Sequence, residues 1–172
     1  MANKKHVLFI LSALCTGISL HMLDDRASGN QPKPLVKSIE HTGDVLHIAL
    51  PVAAVAQCVL AADPVGLYQL SSVMAYSTIC TWVPKILFNH ERPNGGRNSM
   101  PSGHTSLSFA VVFTVILRYG LTMASMTSFI CALFVALSRT YSEWHHTVDI
   151  SVGFLVGLAC ALYVVKKRPL LR

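Results

Sequence analysis

Six stretches of this 172-residue chain are each apolar enough and long enough to cross a bilayer, and only short polar connections separate most of them. A span needs about 20 mostly apolar residues, and in lipid a single segment satisfies its own backbone only as a helix. The stretches are residues 7–23, 45–62, 65–88, 102–119, 121–138 and 148–165. The expected fold is therefore all-α: one domain over residues 1–172, a six-transmembrane-helix bundle. Composition agrees, with 52% hydrophobic and 13% charged residues against a soluble norm of roughly 25% charged.

The segments differ in character. The first follows Lys4, Lys5 and His6, and its residues 7–20 have the length of a signal-peptide core. The residues after it, His21, Met22, Leu23 and Asp24, offer no small-residue cleavage site, so a retained span is expected. Residues 24–44, with Gly29, Pro32, Pro34 and charges of both signs, read as an aqueous loop with an interfacial turn. Pro51 is tolerable in a membrane helix, and Asp63-Pro64 makes a tight return. Residues 65–88 are the most polar span; Gln69, Ser71, Ser72, Ser77, Thr78 and Thr81 predict a helix facing protein, with Pro84 kinking its end. The fourth span, about 27 Å of helix, is barely long enough, so Arg118 is expected to snorkel. Gly153 and Gly157 allow a close helix contact, expected within one chain; oligomeric state is left open.

The net charge of +6 does not indicate nucleic acid, because the basic residues sit singly or at span ends without interleaved aromatics. With both termini on the cytoplasmic side, seven of the 14 basic residues lie inside and seven outside, against the usual inward bias. Four of the outer ones, Lys85, Arg92, Arg97 and Arg139, flank two histidines, which makes them candidates for function. The five cysteines lie inside apolar runs without metal spacing and read as packing residues.

Three clusters fall on that outer face. Lys85 and Arg92-Pro93 are seven residues apart, which on a helix would share a face. Pro101-Ser102-Gly103-His104 opens the fourth span; Ser102 can cap the helix, Gly103 allows close backbone approach, and a helix N-terminus favours an anion. Ser138-Arg139 is followed by His145 and, four residues on, Asp149, which would stack beneath the imidazole and fix its tautomer. Lys85, Arg92 and Arg139 supply positive charge and donors for a phosphoryl group. His145 with Asp149 can be a nucleophile, and His104 the acid that protonates a leaving oxygen and then the base that activates water.

These residues carry a family resemblance. Lys, six residues, Arg-Pro; then Pro-Ser-Gly-His; then Ser-Arg, five residues, His, three residues, Asp is the pattern of the type 2 phosphatidic acid phosphatase (PAP2) family, and this chain is similar to it at every motif position. The resemblance is to the membrane branch and, with the six spans, extends over nearly the whole chain. It implies a lipid phosphate phosphatase without metal or other cofactor, with His145, His104 and Asp149 catalytic and Lys85, Arg92, Ser102, Gly103 and Arg139 holding phosphate. The short connection at residues 94–100 departs from the longer loops of many members and argues against a separate substrate-gripping subdomain.

Outside the motifs, His90 and His146 have only adjacency to recommend them, and a zinc site built from the histidines lacks a clear ligand pair. Arg97 is either a headgroup contact or a solvated loop cation. Tyr141, Glu143 and Trp144 read as interfacial, with Trp144 a headgroup-level anchor. The expected location is a bacterial inner membrane, the site facing the periplasm or exterior. Undecaprenyl diphosphate, lipid A and phosphatidylglycerophosphate are candidate substrates. Two rival functions use the same scaffold: transfer of the phosphoryl group to another lipid, and non-catalytic binding or transport of a lipid phosphate, for which the two histidines would be superfluous.

Overall fold

The computed structural model describes residues 33–167, which form five helices: α1 (Pro34–Leu60), α2 (Pro64–Phe88), α3 (Gly103–Tyr119), α4 (Met123–Tyr141) and α5 (Thr147–Lys167). No strand occurs among the described residues. The first expected span, residues 7–23, lies outside them, as do the terminal basic residues other than Lys166 and Lys167. Three helices, α1, α4 and α5, are long and apolar enough by length and composition to cross a membrane. Of the other two, α2 carries the run of hydroxyl and amide side chains, and α3 is 17 residues long.

Local chemistry sets the boundaries. Asp63 accepts from the Gly66 N–H at 2.9 Å and Pro64 occupies the first turn of α2, as the tight return predicted. Asn89 ends α2 in the left-handed region. Thr122 and Ser125 form a capping box at the start of α4. At α5, the Asp149 carboxylate reaches back to the His146 N–H at 2.8 Å, the acidic half of the same device.

The main correction concerns residues 34–44. They are the first three turns of α1, not an aqueous loop. Their polarity is helical: Ser38 and Thr42 bond back to the carbonyls of Pro34 and Ser38, while Glu40, Gly43, Asp44 and His47 repeat at helical steps towards α3 and α4. The fifth span also runs a turn beyond its expected end at residue 138, so Arg139 is part of α4.

Helix α3 is the axle of the bundle and touches all four other helices. Its residues from Gly103 to Val112 are all buried. On one side Phe109 and Val112 pack with Leu50, Ala132, Val135 and Ala136; on another Leu107, Val111 and Val115 pack with Ala54, Leu70 and Met74. Gly153 and Gly157 let α5 come against the α3 backbone, with the expected use of small residues realised inside the chain: a Cβ at Gly157 would lie 2.7 Å from the Ser106 carbonyl oxygen. Gln69, Ser71, Ser77 and Thr81 of α2 are buried, facing protein as predicted. Arg118 does not simply snorkel. At the end of the bundle away from Pro101-Ser102-Gly103-His104, its Nε and Nη2 donate to the two oxygens of Asp63 and its Nη1 to Gln69 Oε1 at 2.7 Å.

Candidate active site

The site is assembled at the end of the bundle where α2, α3 and α4 bring their motif ends beside the start of α5. The connection at residues 89–102 folds inward over it. Arg92 N–H donates to the Gly96 carbonyl at 2.8 Å, Ser99 N–H to His90 at 2.9 Å, and Asn94 N–H to Glu143 at 3.2 Å, which ties this loop to the turn before α5. The loop carries no subdomain of its own, as its length implied.

Lys85 and Arg92 converge, but not as a shared helical face. α2 stops at Phe88, and Arg92 returns through the loop. Both side chains donate to the Asn98 carbonyl, Arg92 from Nη2 at 3.5 Å, and Lys85 also reaches the Ser99 carbonyl at 3.4 Å. Arg92 Nε donates to the Arg97 carbonyl at 2.8 Å, and its guanidinium lies 5.2 Å from the centre of the Trp144 ring. Both cations are almost wholly buried. They are thus fixed in position before any anion arrives.

Ser102 precedes α3 without a side-chain cap, contrary to expectation: its hydroxyl accepts from Thr105 Oγ1 at 3.1 Å, and its N–H donates to the Asp149 carbonyl at 3.0 Å. Gly103 is the first residue of α3, buried beside α5. The N–H groups of the first helical turn point out of the end of α3, the arrangement that favours an anion.

His145 sits in the turn before α5, with Nδ1 3.6 Å from Asp149 Oδ2, an ion-pair distance longer than a hydrogen bond. The same carboxylate oxygen accepts from Ser99 Oγ at 2.5 Å. Burial pushes the His145 pKa down to about 4; Asp149 opposes this, and the charges of Lys85 and Arg92 add to it. At neutral pH the ring is therefore uncharged and carries a lone pair. Arg139 donates from Nη1 to Asp44 Oδ1 at 2.8 Å, from Nη2 to the Glu40 carbonyl at 2.7 Å, and from Nε to Ser138 Oγ at 3.1 Å. His104 Nε2 lies 3.1 Å from the same Asp44 oxygen.

All eight motif residues proposed from the sequence are thus buried at one end of the bundle. Four residues beside them belong to none of the motifs: Glu40, Asp44 and His47 on α1, and Ser99. The available signal was an acidic and imidazole stripe at steps of four and three leading into an apolar helix, where ionisable groups are costly unless used. Trp144 is more than an interfacial anchor, since its indole N–H donates to Glu40 Oε1 at 2.8 Å. Arg97 is exposed, and His146 is exposed with its Nε2 3.3 Å from the Glu91 carbonyl.

Residues 80–171 match the PAP2 superfamily, a stretch that contains all three motifs. A lipid A 1-phosphatase of Helicobacter pylori is 30% identical over 135 residues, which cover 73% of this chain and 67% of that protein. Two solved structures share the fold. The crystal structure of Aquifex aeolicus LpxE aligns with a TM-score of 0.66 at 20% identity, over 87% of this chain and 94% of that one. The PAP2-type phosphatidylglycerolphosphate phosphatase of Bacillus subtilis aligns with a TM-score of 0.61 at 19% identity, over 98% of each chain.

Proposed function

The chain belongs to the PAP2 superfamily, and from that premise we propose that it is a membrane-embedded lipid phosphate phosphatase that uses His145 as its nucleophile and needs no metal. The reading is supported above all by one observation: an imidazole held neutral by burial, 3.6 Å from a carboxylate and under the influence of two fixed cations.

The ring nitrogen turned away from Asp149, Nε2, attacks phosphorus. As the N–P bond forms, the P–O bond to the lipid breaks, and the lipid oxygen keeps the electron pair and takes a proton from His104. Water then gives a proton to His104 and attacks the phosphohistidine, which releases inorganic phosphate and restores His145. Lys85, Arg92 and Arg139 with the first-turn N–H groups of α3 offset the charge on the phosphoryl oxygens, the main task in phosphoryl transfer. Ser102 and Gly103 shape that end of α3.

The substrate we propose is the 1-phosphate of a lipid A-type glycolipid, supported by the name of the Helicobacter pylori relative. The enzyme would work in a bacterial inner membrane with its site at the outer surface and both termini cytoplasmic. Purified protein should release phosphate in the presence of chelator, be inhibited by vanadate, and lose turnover in His145→Ala. Brief acid-free quenching with radiolabelled substrate should trap phosphate on His145. Full turnover in His145→Ala would sink the mechanism. Side-by-side assay of lipid A, undecaprenyl diphosphate and phosphatidylglycerophosphate decides the substrate, and label appearing on an acceptor lipid would identify a phosphotransferase instead.

A further inference from the structure

Asp44 belongs to none of the three motifs, yet it reaches into the site from α1. Its Oδ1 lies 3.1 Å from His104 Nε2 and accepts from Arg139 Nη1 at 2.8 Å. The wall it stands on is held firmly. One turn earlier, the Glu40 carbonyl takes Arg139 Nη2 and the Glu40 carboxylate takes the Trp144 indole N–H. One turn later, the His47 ring packs 4.3 Å from the His104 ring, centre to centre, with its Nδ1 3.2 Å from Ser108 Oγ. Between them Gly43 lets α1 approach α4, for a Cβ there would lie 2.2 Å from Ser138 Oγ and 2.6 Å from Arg139 Nη2.

We propose that Asp44 is the positioning residue of His104, a second carboxylate–imidazole pair that parallels Asp149–His145. This rests on the reading of His104 as the proton donor given above. A carboxylate on Nε2 fixes the tautomer and the plane of the ring, so that the nitrogen that meets the leaving oxygen is Nδ1. It also balances the ring's positive charge while it carries two protons: before it protonates the lipid oxygen, and again after it takes a proton from water. No other co-reactant is involved. Each proton given in the first step is recovered from water in the second.

A different role for Asp44 would be to neutralise Arg139 and so weaken or tune phosphate binding. The two roles separate by leaving group. Loss of acid assistance is severe for an alkoxide, which needs a proton to depart, and slight for a nitrophenolate, which does not. Loss of a phosphate contact falls on both esters alike and raises KM.

The experiment compares Asp44→Asn with wild type on a lipid alkyl phosphate and on nitrophenyl phosphate, in detergent micelles. We expect kcat on the alkyl ester to fall by about 10²-fold, while nitrophenyl phosphate is affected only several-fold. Asp44→Glu, which keeps the carboxylate on a longer arm, should restore part of the alkyl rate and carries the same comparison should the Asn variant not accumulate. His104→Ala should show the same leaving-group signature, and adding Asp44→Asn to it should cost little more. Equal losses on the two esters, an effect confined to KM, or full additivity with His104→Ala would each overturn the proposal. His145→Ala separates this from the parent reading: if it is inert on both esters while Asp44→Asn shows no leaving-group bias, only the role of Asp44 falls; if it keeps turnover, the nucleophile assignment falls first.

Discussion

Asp149 Oδ2 stands 3.6 Å from His145 Nδ1 but only 2.5 Å from Ser99 Oγ. The carboxylate beside the proposed nucleophile is therefore itself held by a residue of the loop that also fixes Lys85 and Arg92, and by the His146 N–H at 2.8 Å. The two cations, His145 and the loop are positioned as one unit.

Graded losses follow along that chain of contacts. Asp149→Asn keeps the shape but leaves the His145 tautomer unspecified and its developing charge unbalanced, so kcat should fall by about 10²- to 10⁴-fold. Ser99→Ala removes one charge-assisted hydrogen bond worth about 1.5 kcal/mol, roughly tenfold in rate. Steady-state kinetics on a single lipid phosphate test both. A Ser99→Ala loss as large as that of Asp149→Asn would mean that the hydroxyl acts directly on substrate.

The buried imidazole also makes stability depend on pH. The folded-state pKa of His145 is lowered to about 4 by burial, below its ordinary 6.5. Between those values the unfolded chain takes up a proton that the folded chain refuses, so stability falls as pH drops from about 6.5 to about 4 and is level above that window. The slope approaches 1.4 kcal/mol per pH unit, on the order of 3 kcal/mol in all. Thermal unfolding in detergent should show this decline, and His145→Gln should flatten it. An unchanged profile in the Gln variant would show that other groups set the acid limit.

What the sequence made legible here was chemistry and hydrophobicity. Lys85, Arg92, His104, Arg139, His145 and Asp149 were recognisable because few tasks need those side chains at those spacings beside membrane spans. Their convergence has another origin than spacing along one helix. Lys85 and Arg92 meet because the chain turns back after Phe88, and that depends on Asn89 adopting a left-handed conformation that residue spacing does not announce. Read along the chain, the polarity of residues 34–44 suggests an aqueous loop, whereas projected around a helix it accompanies the start of α1. Asp44 and His47 find their partners, His104 and Ser108, about 60 residues away in sequence. Pairings of that kind are made by tertiary packing, and hydropathy does not carry them.

Two glycines on α5 divide activity from stability. A Cβ at Gly153 would lie 2.8 Å from the Ser102 carbonyl oxygen; at Gly157 it would lie 2.7 Å from Ser106 O and 2.8 Å from Ala110 N. These are backbone atoms and cannot swing aside, so alanine at either position pushes α5 off α3 at a cost of about 1–3 kcal/mol. Gly153→Ala displaces the start of α3, where phosphate is proposed to sit, and should lower activity per folded molecule. Gly157→Ala, a turn deeper, should lower the unfolding temperature with little effect on that specific activity. Equal specific activities for the two variants would count against the placement of phosphate at the α3 N-terminus.

The far end of the bundle gives the complementary case, stability without catalysis. Burial would raise the Asp63 pKa, but hydrogen bonds from Arg118, the Gly66 N–H and Tyr119 outweigh it and hold the carboxyl down to about 2. Because the folded value lies below the ordinary 3.8, this contribution is fully present above about pH 4 and is lost as pH falls towards 2. Asp63→Asn keeps the cap on Gly66 but removes the charge facing Arg118, and Asp63→Ala removes both. The Asn variant should lose about 2 kcal/mol, the usual worth of hydrogen bonds to a charged partner, and the Ala variant about 1 kcal/mol more for the cap. Neither should change kcat on a lipid phosphate, since the pair sits at the opposite end of α3 from His104. A drop in kcat with an unchanged unfolding temperature would instead couple the two ends of α3, and the bundle would then transmit what it here only supports.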